Sequence, residues 1–358
     1  MLFKEIIGQY SVKQRLIQTV KDSRISHAQL FLGTEGSGNL PLAIAYAQYV
    51  SCENKGEEDS CGVCSSCVKY NKLAHPDLHF VYPVNKTKDV SKDKVISANF
   101  SGNWRTAVSE NPYLNLTQWY NKIGIENKQG IINVEDCNEI IKTLGLKTYE
   151  AEFKVMIIWR PERLFHSAAP KLLKILEEPP QKTLFLLVAE DQDQILKTIL
   201  SRTQLVKIGK ISDEELHKEI VGKHGLSGEE ATKVVHLANG NYLEALRLIE
   251  NDENEHFNAL MFPKWMRMCF KRDVLKIMDW VEEISKIGRE KQKSFIAYGL
   301  HIVRESLMLN YGDAGLVRLN GEELSFTNKF APFINSSNVF QISDELNKAH
   351  LHIERNAN

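Results

Sequence analysis

Apolar positions change their spacing twice along the chain, and those changes mark its organisation. Near the start, Val12, Leu16, Ile17 and Val20 recur at helical intervals behind Ser11, which is placed to cap a helix. Gln29-Leu30-Phe31-Leu32 then forms a short apolar run. The glycine-rich Gly33 to Gly38 and a helix-period stretch from Leu40 to Val50 follow it, which predicts strand, turn and helix. Lys154 to Trp159 and Thr183 to Ala189 are almost continuously apolar, the pattern of parallel strands covered on both faces. An α/β sheet is therefore expected through residue 208. From Ser212 the spacing is helical throughout. Asp213-Glu214-Glu215-Leu216 opens one helix with acids in its first turn, Gly225 to Gly228 punctuates, and Glu229 to Leu237 and Leu243 to Ile249 supply two more. After the polar break Asn251 to Glu255, the stretch Phe257 to Asn310 repeats the pattern at Val274, Ile277, Met278, Val281 and Ile284. Three domains are predicted, at 1–208, 209–250 and 251–358. Residues 85–130 are polar and studded with Trp104, Tyr113, Trp119 and Tyr120, and no element is predicted for them.

Composition adds exclusions. At 358 residues, with 43% hydrophobic and 25% charged side chains, the chain has a globular composition, far from disorder and too long for a small disulfide-stapled fold. Lys plus Arg number 45 against 46 for Asp plus Glu, so no global field favours nucleic acid or a membrane surface, and such contacts must be local. The start of the chain lacks the apolar core of an export signal. Its longest apolar runs fall far short of the roughly 18 to 20 residues that span a bilayer. A cytoplasmic protein with no membrane contact is expected.

Two local patterns carry chemistry. Cys52, Cys61, Cys64 and Cys67 offer four thiolates at interlocked C-x-x-C spacing, a soft tetrahedral set for structural zinc with no position left open for water. A redox pair needs only one such step, and disulfides suit another compartment. Cys137 and Cys269 are expected to be buried apolar thiols. The second pattern is Gly33, Gly36 and Gly38 between a strand and a helix, the setting of a phosphate-binding loop or of a tight turn. Asn39 stands where such a loop carries its lysine, and Leu40 where it carries a hydroxyl for magnesium. The residues after the next buried strand are Trp159-Arg160-Pro161-Glu162, without the leading carboxylates that hold the metal and water. An inert nucleotide fold is the expectation.

Together, Ile7-Gly8-Gln9, His27 to Phe31, the four cysteines, Leu172-Leu173-Lys174-Ile175-Leu176-Glu177-Glu178-Pro179-Pro180 and Ile199-Leu200-Ser201-Arg202 resemble the AAA+ clamp-loader family of bacterial DNA polymerase III. The ending Ile353 to Asn358 adds to the likeness. The resemblance implies an AAA+ parallel sheet of the P-loop type with a zinc-binding insertion at about 52–67, then a helical lid over 209–250 and an all-α collar over 251–358. It implies a pentamer that opens a sliding clamp and places it on primer-template DNA, with gamma or tau and delta subunits as partners. It also implies a stator role without intrinsic catalysis, in which Arg202, beside Ser201, acts as an arginine finger on ATP held at the interface with a neighbouring subunit. Thr203 replaces the family's cysteine. Ala189-Glu190 stand in place of a polar sensor, and Leu243 in place of a second sensor arginine. Two rivals remain: an ATP-hydrolysing gamma- or tau-like ATPase, and a zinc-dependent DNA-binding protein. The aromatic residues of 85–130 form a local cluster or stack on bases. Lys264, Arg267, Lys271, Arg272 and Lys276 are expected on a solvated or inter-subunit face.

Overall fold

A computed structural model describes residues 1–87, 90, 95–125, 128–249, 253–311, 319 and 321–355. Asn251 and Asp252 of the polar break, parts of the 85–130 segment and the terminal Asn356 to Asn358 lie outside the described residues. The chain divides into two compact units, one of residues 1–231 with 238–244, the other of 232–237 with 245–358.

The first unit is built on five parallel strands: β1 (Ala28–Leu32), β2 (Leu78–Val81), β3 (Lys154–Trp159), β4 (Thr183–Ala189) and β5 (Gln204–Lys207), in the order β2-β3-β4-β1-β5. β3 and β4 are buried along their whole length, as continuous apolar runs require at the centre of a two-faced sheet. Alternate residues serve opposite faces. Ile157, Leu184, Leu186 and Val188 pack with the helix Asn39–Ser51, whereas Met156, Ile158, Phe185 and Leu187 pack with the helices Val134–Gly145 and Ala169–Glu177. All thirteen residues of Asn39–Ser51 are buried, so this helix is apolar all round rather than striped.

Residues 95–125 are folded, with a short 3-10 turn and the helices Ser101–Glu110 and Leu116–Ile123 lying on the Asn39–Ser51 face. Asn115 and Gln118 cap the second helix reciprocally and Gly124 ends it in the left-handed conformation. Trp104 stacks on Tyr82 at 4.2 Å between ring centres and lies 5.1 Å from both Trp119 and Trp159, while Trp119 Nε1 donates to Pro83 O at 2.8 Å. Trp104, Trp119 and Tyr113 are buried in the chain's own core and cannot stack on bases; the local cluster is what forms.

Two further expectations are corrected. The first helix runs Tyr10–Lys21 and is entered from Gln9, in the left-handed conformation, so Ser11 lies inside it and does not cap it. Cys269 is exposed, on the outward face of the helix Glu253–Lys271 beside the exposed Phe270.

Beyond β5 every described element is helical, in both units. Asp213–His224 is capped by Ser212 and ended by Gly225. The second unit gathers Met261, Phe262, Trp280, Phe295 and Ile302 into its own core, with Trp265 stacked on Trp280 at 4.7 Å. Val274, Met278 and Val281 are exposed in the single chain, and so are Lys264, Arg267, Lys271, Arg272 and Lys276. Among the described residues, no helix is long and apolar enough to cross a membrane.

Candidate functional site

The four cysteines come together. Their sulfurs all lie within 4.8 Å of one another, and Cys61 Sγ and Cys67 Sγ are 3.9 Å apart. Four thiolates about 2.3 Å from one zinc ion would stand at close to that separation on a tetrahedron. Cys52 ends the helix Asn39–Ser51, and Cys64 caps the helix Ser65–Asn71 by accepting from Cys67 N at 3.4 Å. Cys61 N donates to Cys52 Sγ and Cys64 N to Cys61 Sγ, both at 3.3 Å, which favours sulfur carrying negative charge. The backbone N–H groups of Val63 and Cys64 lower the Cys61 thiol to about 6, whereas burial raises Cys52 and Cys67. No disulfide forms among them. This geometry suits a metal ion. The loop also grips the start of the chain: Asp59 accepts Phe3 N and Lys4 N, each at 3.0 Å.

Gly33, Gly36, Gly38 and Asn39 converge at the carboxyl ends of β1 and β4. Gly36 and Gly38 have φ of +69° and +89°, which glycine adopts without strain. Residues 36–40 are all buried, and it is the chain's own side chains that bury them. Asn39 folds back, its Nδ2 donating to Gly33 O at 3.0 Å and to Ala189 O at 3.1 Å, while Leu40 N donates to its Oδ1. Tyr242 N donates to Gly36 O at 3.2 Å, and a Cβ at Gly36 would lie 1.8 Å from Asn241 Oδ1. A Cβ at Gly38 would meet the Tyr113 ring at 3.1 Å. Gln9 Nε2 bridges Ser37 O and Gly209 O. Leu243 is buried and apolar.

At the end of β3, Arg160 is buried and ion-paired with Glu190, with its guanidinium 5.2 Å from the Trp159 ring centre. Burial, with Glu35 and Glu162 nearby, raises the Glu190 carboxyl to about 7 against the opposing pull of Arg160. Glu162 is turned inward and accepts Glu190 N and Asp191 N.

Arg202 lies elsewhere. It follows the short helix Lys197–Leu200 and precedes β5, and since Gln29 pairs with Gln204 and Leu32 with Lys207, it stands at the opposite end of the sheet from the glycine loop. Its Nε donates to Glu177 Oε1 at 2.7 Å and Nη1 to Thr198 O at 2.8 Å, with Ser201 Oγ within 3.2 Å. Roughly a third of its side chain remains exposed. Thr203 Oγ1 is turned back onto Ile199 O. The structure thus unites the cysteines and unites the loop residues, and keeps Arg202 and Ser201 apart from both. Sequence reasoning missed Gln9, Tyr113, Asn241 and Tyr242 as neighbours of the loop, because each reaches it through tertiary folding. It also missed Glu177 as the partner of Arg202, although the L-E-E-P-P segment drew attention to that stretch.

The family model described as DNA polymerase III, delta subunit, matches residues 8–212. The DNA polymerase III subunit gamma of Buchnera aphidicola is 27% identical over 314 residues, covering 82% of this chain and 74% of that protein. The DNA polymerase III subunit delta' of Bacillus subtilis is 26% identical over 242 residues, covering 68% of this chain and 59% of that protein. A DNA polymerase III gamma-subunit-related protein of Thermotoga maritima aligns over 97% of this chain and all of its own, at 15% identity and a TM-score of 0.38.

Proposed function

This chain belongs to the DNA polymerase III, delta subunit, family of clamp-loader AAA+ proteins, and from that premise we propose that it serves as the non-hydrolysing delta-prime-type stator of a clamp loader. Its partners are then gamma or tau and delta subunits in the cytoplasm, and through that assembly a sliding clamp and primer-template DNA. Residues 1–208 act as the AAA+ domain, 209–250 as a lid and 251–358 as a collar, and zinc on Cys52, Cys61, Cys64 and Cys67 holds the insertion together.

The observation that carries the reading is the state of the glycine loop. Residues 36–40 are buried by protein, Asn39 is spent on two carbonyls, and the Arg160–Glu190 ion pair lies where magnesium would need carboxylates. An uncharged amide already bound to Gly33 O and Ala189 O cannot neutralise phosphate charge, so chemistry at this loop is lost.

What remains is chemistry in trans. Arg202 lies at the far end of the sheet from the chain's own loop, partly exposed, and a guanidinium keeps its charge and planar donor fork at any working pH. To reach a neighbour's γ-phosphate it exchanges Glu177 for phosphate oxygens that gain charge in the transition state. Ser201 and Thr198 O steady its root.

The test is reconstitution with cognate loader subunits. Arg202→Ala should leave assembly intact and lower DNA-stimulated ATPase by about tenfold or more. An assembled complex with unchanged ATPase overturns the finger assignment, and turnover by the isolated chain that Gly38→Asp abolishes replaces the stator with a gamma- or tau-like ATPase.

A further inference from the structure

The folded segment 95–125 reaches the glycine loop at its midpoint. Between its two helices, the turn Asn111-Pro112-Tyr113-Leu114-Asn115 projects one ring. Tyr113 N donates to Asn111 Oδ1 at 3.0 Å and Leu114 N to Asn111 O at 3.2 Å, so the turn is fixed by its own asparagine. The flanking helices are anchored by Trp104 and Trp119 in the core. A ring presented this way has little freedom.

That ring packs against Gly38, Ile7 and Tyr242. Its edge lies over Gly38, where a Cβ would stand 3.1 Å from Tyr113 Cε1 and 3.5 Å from Ile6 Cγ2. Its hydroxyl accepts Ile7 N–H at 2.9 Å, and its ring meets Tyr242 in a T-shaped contact at 4.9 Å between ring centres. Tyr113 is buried. Burial raises its phenol far above the ordinary tyrosine value, against the lowering by Ile7 N–H, so it stays neutral. A flat, apolar body with a hydrogen-bond acceptor on a backbone N–H, placed beside a glycine at a helix N-terminus, meets the recognition demands of a nucleotide's base or sugar.

We propose that the 95–125 segment is a built-in occupant of the vestigial nucleotide site, with Tyr113 as the group that excludes adenine nucleotides. The site, emptied of that ring, takes an adenine nucleotide along Ile6, Ile7, Gly38 and Tyr242. The proposal rests on reading Gly33 to Asn39 as a former phosphate loop, and it is independent of Arg202.

The experiment is calorimetric titration of the full chain with MgATP and with ADP. Wild type and Asn39→Lys should show no saturable binding, because a restored cation does not remove the ring. Tyr113→Ala with Asn39→Lys should bind saturably, at least about tenfold more tightly than the weakest binding the titration detects. Tyr113→Phe with Asn39→Lys keeps the ring and should stay closed. Tyr113→Leu with Asn39→Lys, which retains an apolar filler and folds more readily, is held to the same tenfold criterion as the alanine variant. Saturable binding by the wild type, equal binding with and without Tyr113, or no binding by either ring-less variant with a native cooperative melt overturns the proposal. ATPase of the reconstituted complex carrying Arg202→Ala tests the stator reading separately, so the failure of one is distinguishable from the failure of the other.

Discussion

One buried helix, Asn39–Ser51, has the glycine loop at its amino end and the first cysteine of the thiol cluster at its carboxyl end. At the carboxyl end, backbone and side chains agree: four sulfurs converge and backbone N–H groups support negative charge on them. At the amino end they have parted. Gly36 and Gly38 keep positive φ, yet Asn39 is bound to Gly33 O and Ala189 O, and Arg160 is ion-paired with Glu190 at the end of β3. On the stator reading proposed above, the difference teaches that retained glycines do not certify retained chemistry. Gly36 and Gly38 now answer to protein neighbours, Asn241 with Tyr242 on one side and Tyr113 on the other.

Metal removal should have the largest effect. The purified chain should carry about one zinc by atomic absorption, and a chelator or Cys67→Ser should sharply lower the thermal transition of the first unit, since structural zinc contributes on the order of 10 kcal/mol of binding free energy. A folded, metal-free chain indifferent to chelator would break the comparison at its intact end. Next comes Gly36→Ala. With positive φ and Asn241 Oδ1 in the way, it should cost about 2–4 kcal/mol in urea denaturation. Unchanged stability would mean that the glycine serves a ligand instead of the fold. Asn39→Ala should cost about 1–3 kcal/mol, because Gly33 O loses its side-chain donor and Ala189 O keeps only Gly33 N–H. The smallest effect concerns pH. A carboxyl raised to about 7 holds its proton more tightly in the folded chain, so the stability Glu190 contributes is complete below its ordinary 4.5 and is lost as pH rises through the interval to about 7. The melting difference between wild type and Glu190→Gln should move over that interval; a flat difference would show that Arg160 keeps the carboxylate charged.

Legibility in the sequence followed locality. β1, β3 and β4 and the helix behind the glycine loop could be read because burial on both sides leaves continuous apolar runs. β2 and β5 are four-residue edge strands of mixed polarity, and β5 exposes most of its side chains, so neither left a pattern. The cysteines could be read because all four ligands fall within one short stretch. Closure of the loop could not, since Ile7, Tyr113 and Tyr242 are far apart in the chain and only the fold brings them together. The 95–125 helices are brief, and their core residues Trp104, Ala107 and Val108 give too few turns to establish a period. Arg202 stood out only through the family resemblance; nothing in its own surroundings separates it from any arginine at a helix end.

The ring cluster beneath the segment that carries Tyr113 has an optical consequence. Of the chain's five tryptophans, Trp104, Trp119 and Trp159 lie close enough to couple as chromophores in the first unit, while Trp265 and Trp280 form a parallel stack in the second. Each unit therefore carries its own near-ultraviolet signature, and a substitution that displaces the Tyr113 segment should disturb the trio and spare the pair, so its effect can be followed without an added dye.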